Sequence, residues 1–525
     1  MPLTSSSKDG AGPARPVLVL FRATLVTVAL LSTPALGQNP WRDVLRAHEL
    51  AFSEVGDAAQ RRASIEALRG HDRPEAVALY WKAMAWLEDW LEPQRITYGD
   101  VLRRLEPLAK DLLYPEERDE LDSLRKKRDE LATIITDGEG TQDVIIEILA
   151  ATGEEQVLDK VALTGLRHEH WKVRWAAAEV IARAGYTSAL SKVIPLLRDE
   201  DARVRTAAVE ALGSFRAREA EASLIRCLEK DEAWQVRAAA VDAVADLGTP
   251  DCVQALIAAL GREEGRLLGD ICSKLRLLTG QKLLAKYDVW RDWWEKAKDD
   301  FKGATILRRA PLPPIMMRRD PSLPPISYSG IETTSDRVVF VLDISDSMND
   351  RAASQTLLDG RVGERDAPGR SKMESARNEL KAAIRSLTSK DYFNIIVYNH
   401  NVRKWQDKMV PANPSNITLA LRFLDGLMAE GGTNIFDALE AAFGLGGFGA
   451  YDKYYRSSVD TIFLLSDGAP SHGRIIDPDR IRAEILRMNK LQKIRIHTVS
   501  IGQLADGDFL EALAKDNGGD HIKRL

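Results

Sequence analysis

Asp336-Arg-Val-Val-Phe-Val-Leu-Asp-Ile-Ser-Asp-Ser-Met348 decides how the C-terminal third of this chain folds. Val338 to Leu342 is apolar without a break, the pattern of a strand covered on both faces, and Asp343 closes it, followed by serines at alternate positions, Ser345 and Ser347. Similar strand runs follow at Phe393 to Tyr398, Thr461 to Leu465 and Ile494 to Ile501. Between them lie amphipathic segments near 371–387, 415–428, 435–443, 478–490 and 507–515. Strands alternating with helices predict a mainly parallel, doubly wound α/β sheet, whose ligands bind at the carboxyl ends of the strands.

Three short segments fall at those ends. They are Asp343-Ile-Ser-Asp-Ser-Met348, the loop Gly431-Gly-Thr-Asn-Ile435 before a helix, and Ser466-Asp-Gly468 after a strand. Singly, Asp343 and Asp467 read as turn residues and Thr433 as a helix N-cap. Together they bring Ser345, Ser347, Thr433, Asp343 and Asp467 to one edge, a hard-oxygen donor set of low charge suited to Mg²⁺, with Mn²⁺ or Ca²⁺ as alternatives.

The region 337–525 resembles a von Willebrand factor type A (VWA) domain, and its Asp-x-Ser-x-Ser, Thr and Asp elements resemble the metal-ion-dependent adhesion site of that family. The resemblance implies that Ser345, Ser347 and Thr433 supply hydroxyl ligands, that Asp343 and Asp467 bind directly or through water, and that a protein partner's Asp or Glu completes the octahedron. Neutral hydroxyls leave the ion electrophilic towards that carboxylate. Asp346 stands where the family often has glycine, and the polar stretch Asn349 to Arg370 is longer than the usual connection.

Upstream, a repeat sets the architecture. His170-Trp-Lys-Val-Arg-Trp-Ala-Ala-Ala-Glu-Val-Ile, Asp201-Ala-Arg-Val-Arg-Thr-Ala-Ala-Val-Glu-Ala-Leu and Ala233-Trp-Gln-Val-Arg-Ala-Ala-Ala-Val-Asp-Ala-Val align, with Val-Arg pairs at Val173-Arg174, Val204-Arg205 and Val236-Arg237, so the period is 31 and then 32 residues. Each unit is expected to turn through a left-handed glycine, at Gly185, Gly213 or Gly248, into a second apolar helix. The segment 155–300 resembles the HEAT repeats of bacterial proteins, an α-solenoid. Arg174, Arg205 and Arg237 are expected to pair with acids in the turns, among Asp199, Glu200, Asp201, Asp231 and Glu232. Trp290, Trp293 and Trp294 mark a helix that caps the array.

The remaining segments complete the plan. Residues 41–150 carry helical periodicity, with a stripe of Trp81, Trp86 and Trp90 that reads as core packing. Residues 302–336 hold six prolines, from Pro311 to Pro325, and predict a semi-rigid spacer. At the start, Lys8, Arg15 and Arg22 precede an uncharged run from Ala23 to Gly37, which reads as a signal peptide over 1–37 cleaved before Gln38. The mature chain is then expected outside the cytoplasm: periplasmic, on the cell surface or secreted, with no integral membrane segment.

Composition excludes other classes. The 525 residues are 29% charged and 45% hydrophobic with a net charge of −5, a globular balance without the basic field that nucleic acid requires. Cys227, Cys252 and Cys272 have neither disulfide nor zinc spacing and read as small buried side chains. Enzyme motifs are missing as well: Ser345 stands where a haloacid-dehalogenase-type phosphotransferase would carry its second Asp, and no Walker loop or Gly-x-Ser-x-Gly elbow occurs. The sequence therefore predicts a non-enzymatic protein that binds a partner carboxylate through a divalent metal, with the HEAT array as a second binding surface. The alternative is a non-catalytic scaffold subunit of a larger, chelatase-like assembly.

Overall fold

In the computed structural model the described residues are 40–53, 55–71, 73–105, 108, 114–303, 326–351, 371–445, 459–502 and 507–524. The expected leader, most of the proline-rich stretch and most of the 349–370 segment lie outside them. The chain is a helical N-terminal region and helical-repeat array followed by an α/β domain with a mixed, mainly parallel sheet.

In the array the first helices are Trp171–Ala184, Ala202–Ser214 and Trp234–Leu247. Their alanines are buried, which lets neighbouring helices approach closely. Each repeat arginine makes a bidentate pair with the acid one turn onward. Arg174 meets Asp199 at 2.7 and 2.8 Å, Arg205 meets Asp231 at 2.7 and 2.8 Å, and Arg237 meets Glu263 at 2.8 and 3.2 Å. The third partner, Glu263, lay outside the expected set. Each Nη1 also donates to turn carbonyls, so the arginines tie successive repeats together.

One glycine behaves differently from expectation. Gly185 and Gly248 end their helices with φ of 66° and 61°, but Gly213 lies within its helix and Arg216 takes the left-handed turn at φ 48°. Gly213 serves close packing instead, since a Cβ there would stand 2.8 Å from Ala243 Cβ. The Trp stripe also divides. Trp81 is buried, whereas Trp86 and Trp90 hold the Arg61 guanidinium 4.5 and 4.7 Å from their ring centres. At the far end Trp290 and Trp294 of the helix Tyr287–Ala297 are buried as a cap. All three cysteines are buried and free.

Nine strands form two sheets among the described residues. β1 (Ile326–Tyr328) and β2 (Ile331–Thr333) are an antiparallel pair inside the stretch expected as spacer. The main sheet contains β3 (Arg337–Asp343), β4 (Tyr392–Tyr398), β5 (Val402–Lys404), β6 (Val410–Pro411), β7 (Thr461–Ser466), β8 (Arg495–Ile501) and β9 (His521–Arg524). Its order is β5-β4-β3-β7-β8-β9, with β6 also on β4; β5 and β6 are antiparallel and the other pairings parallel. Alternate residues of β3 enter two cores, Val338, Phe340 and Leu342 on one face and Val339 and Val341 on the other. That double burial is why the run carries no polar residue.

The C-terminal domain does not stand apart from the helices. Arg487 and Lys490 of the helix Pro478–Gln492, then Lys493 and Arg495, meet Glu139, Glu179, Glu210 and Asp270 in that order. Lys490 lies 3.1 Å from Glu179, and Arg495 lies 2.7 Å from Asp270. Glu179 and Glu210 are the same position of successive repeats, the fifth residue after each repeat arginine. The contact continues into the N-terminal region, where Tyr98 donates to Glu440 at 2.7 Å and Arg128 approaches Asp437 at 3.6 Å. Complementary charge draws this face of the solenoid onto its own C-terminal domain.

Candidate metal centre

Asp343 ends β3 at full burial, its Oδ1 accepting from the Ser345 amide at 2.8 Å and its Oδ2 from the Ser466 hydroxyl at 2.7 Å. Burial pushes its carboxyl up to about 6, opposed by the hydrogen bonds from Ser345 and Ser466. Ser347 begins the next turn. Its Oγ lies 3.1 Å from Ser345 Oγ and donates to Asp467 Oδ1 at 2.7 Å, so four of the five expected residues form one continuous cluster. The parallel register that sets Leu342 beside Leu465 brings the ends of β3 and β7 level, which is how residues 120 apart in sequence meet.

Thr433 arrives on a separate loop. That loop is fastened to the cluster by Glu430 N–H to Ile344 O at 2.8 Å and Asp346 N–H to Gly431 O at 2.9 Å. On its other side, the Thr433 amide donates to Ser471 Oγ at 2.9 Å and its carbonyl accepts from the Ser471 amide at 2.9 Å. The helix Ile435–Leu445 is capped by Asn434, whose Oδ1 accepts from Asp437 N–H at 3.2 Å. Thr433 is thus not the N-cap, and its hydroxyl makes no hydrogen bond to the other four residues. Asp346 is exposed, whereas Asp343, Ser345 and Asp467 are buried.

Two participants went unread in the sequence. Ser466 holds the second oxygen of Asp343. Lys372, the first residue of the helix Lys372–Arg385, places Nζ 2.8 Å from Asp467 Oδ2. Ser466 stood next to Asp467 in a segment already singled out, while Lys372 carried no signal beyond following Ser371 at a helix start.

The donor chemistry fits a small hard cation. Oxygens of Ser345, Ser347, Asp343 and Asp467 converge, and Thr433 stands on the adjoining loop with an uncommitted hydroxyl. Among the described residues no group of three or more His, Cys, Asp or Glu is placed to hold a metal, so any ion at this edge depends on hydroxyl donors. In the same residues no helix is long and apolar enough to cross a membrane.

The HEAT repeat family model matches residues 158–245 and 190–268, and the von Willebrand factor type A domain model matches residues 362–521. The chain joins HEAT repeats to a VWA domain. The VWA match begins beyond Asp343, Ser345 and Ser347, so their assignment rests on the strand end and its hydrogen bonds. Among curated relatives, inter-alpha-trypsin inhibitor heavy chain H4 of Homo sapiens is 32% identical over 191 residues, 36% of this chain and 18% of the relative. Heavy chain H2 of Mesocricetus auratus is 33% identical over 149 residues, 28% of this chain and 16% of the relative. The chain thus spans under a fifth of the length of these relatives. A solved von Willebrand factor type A protein from Catenulispora acidiphila has a TM-score of 0.28 at 18% identity, covering 37% of this chain and 40% of that one.

Proposed function

We propose that this protein is a non-catalytic interaction protein whose VWA domain binds a divalent ion and, through it, an acidic side chain of a protein partner. The observation that carries this reading is the convergence of Asp343, Ser345, Ser347 and Asp467 at the carboxyl edge of the sheet, with Thr433 on the loop beside them. Ser345, Ser347 and Thr433 would hold the ion through neutral oxygens, and Asp343 and Asp467 would orient those hydroxyls or bind through water. The ion supplies a Lewis-acid contact for the partner's carboxylate. The sequence likeness to inter-alpha-trypsin inhibitor heavy chains supports an interaction role.

The second surface on the HEAT array is confined to the side the VWA domain leaves free. On the array the second helices flank a cleft of about 460 Å³ whose lining includes Arg198, Arg226, Cys227, Lys230 and Asp231, a mainly basic rim with one acid over a partly apolar floor. The basic and then apolar stretch at 1–37 supports a location outside the cytoplasm for this interaction.

Capture from a cell-envelope extract tests the function. Partners retained with Mg²⁺ are expected to be lost in EDTA and equally lost with a Ser345→Ala variant. Retention of the same proteins in all three conditions would overturn the metal-dependent reading.

A further inference from the structure

The Lys372 ammonium sits inside the hydroxyl and carboxylate cluster, 2.8 Å from Asp467 Oδ2 and 3.3 Å from the Ser347 carbonyl oxygen. Its side chain is 9% exposed and that of Asp467 is 0% exposed. Three features oppose a lysine at this place. It occupies the first turn of a helix, the positive end of the macrodipole. It takes an ammonium group out of water. Its stem crosses Gly502, held at φ 96°, where any Cβ would stand 2.9 Å from Lys372 Cε. Capping does not explain the choice, because the cap is made by Ser371 and Glu374. What remains is the contact with Asp467.

We infer that Lys372 is a tethered cation of the metal centre, a positioning residue that neutralises Asp467 and thereby weakens the site's hold on its ion while leaving more of the ion's charge for an acidic ligand. The inference rests on the metal-binding reading proposed above. Asp467 keeps Oδ1 on Ser347 while Oδ2 is taken by Lys372, so its carboxylate is oriented and its charge is already balanced. Asp350 lies farther from Nζ, at 3.5 Å, and is 68% exposed. Asp343 then stands as the carboxylate of the cluster without a cation of its own among the described residues. An entering divalent ion meets one effective negative charge rather than two, and it also feels the ammonium directly.

Calorimetric titration with Mg²⁺, alongside thermal unfolding in EDTA, tests this on the full chain. Lys372→Met is expected to bind Mg²⁺ at least about tenfold more tightly than wild type, because a like charge has been removed from the site. In EDTA the same variant is expected to melt below wild type, because Asp467 is left buried and unpaired. Lys372→Arg keeps the cation and is expected to bind within about threefold of wild type. If Lys372→Met does not fold, Lys372→Gln carries the same expectation while keeping a donor to Asp467. Wild-type affinity or weaker in a folded, uncharged variant would overturn the role of Lys372 alone. No Mg²⁺ binding by wild type would overturn the metal reading itself and this inference with it.

Discussion

Lys490 Nζ lies 3.1 Å from Glu179 Oε2 and 4.3 Å above the Trp175 ring, joining the C-terminal domain to the first aligned HEAT repeat across 311 residues of sequence. Burial works against the charge on Glu179, yet Lys490 and the neighbouring cations hold its carboxyl below the ordinary range. The next cation, Lys493, takes the equivalent acid of the following repeat, Glu210. A solenoid stacks its repeats at regular spacing, so an acid at one repeat position forms a ladder. The VWA domain reads that ladder with cations spaced along one helix and the strand after it. The same docking reaches the metal edge, since Arg128 approaches Asp437, which also accepts from the side-chain amide of Asn434, next to Thr433, and from the Arg474 N–H.

Reversing the charge of the ladder should release the domain. Glu179→Lys with Glu210→Lys is expected to raise the radius of gyration measured by small-angle X-ray scattering and to leave each part folded. Glu229→Lys, on the exposed side of the array, is the control and should change nothing. An unchanged radius in the double variant would contradict the charge-based docking.

A buried network stiffens the junction between the N-terminal region and the array. Arg95 donates to Glu88 at 2.8 Å and to Glu139 at 2.9 Å, and all three side chains are buried. Burial opposes the charge on Glu88, but Lys172 and Arg95 hold its carboxyl down at about 2. Arg95→Ala removes the cation shared by two buried carboxylates, leaving Glu88 with Lys172 and Glu139 with Arg487, and should cost about 1.5–3 kcal/mol in chemical denaturation. A loss of less than about 1 kcal/mol would show that water reaches this cluster.

In the metal-free protein the contributions of Asp343 and Asp460 to acid dependence should run opposite to the usual carboxylate case. Burial lifts both Asp343 and Asp460 to about 6 from an ordinary 3.8. The folded state therefore binds protons more tightly than the unfolded chain, and the contribution of each group to stability falls as pH rises from about 4 to about 6. In EDTA, wild type should lose on the order of 2 kcal/mol more than Asp343→Asn between pH 4 and pH 7. Parallel pH profiles for the two proteins would contradict a buried, raised carboxyl at 343.

Two repeat glycines should fail for different reasons. Gly185→Ala forces a Cβ into φ 66° with open space around it, and should cost about 1 kcal/mol that no neighbour can restore. Gly213→Ala strikes Ala243 and should cost about 1–3 kcal/mol, largely regained when Ala243→Gly is added. Thermal unfolding of the three variants distinguishes strain from overpacking; absence of rescue at Gly213 would contradict the close-packing role.

Legibility in the sequence followed the range of each interaction. β3 and β7 were readable because strands buried on both faces carry unbroken apolar runs, and β4 and β8 because apolar residues dominate or alternate around Asn394, His497, Thr498 and Ser500. β1, β2, β5, β6 and β9 span two to four residues each, too short for a periodic signal, and are fixed by pairing with distant partners. The five site residues could be chosen because each stands at the end of a strand or in a loop beside one. Lys372 could not, because nothing local distinguishes a buried ammonium from one of many solvated lysines. The acids Glu179, Glu210 and Asp242 were visible in phase, but a carboxylate on the polar face of a helix is ordinarily solvated. The meaning of Glu179 and Glu210 lies in Lys490 and Lys493, which only the fold brings near, while Asp242 pairs with Lys274 within the array.

Diffraction from crystals soaked in Mn²⁺, recorded at a wavelength where manganese scatters anomalously, tests the central claim most directly. The account predicts one strong anomalous peak within bonding distance of the Ser345, Ser347 and Thr433 hydroxyl oxygens, absent in Ser345→Ala crystals. A well-ordered site with no peak there, or a peak held by other residues, would contradict it.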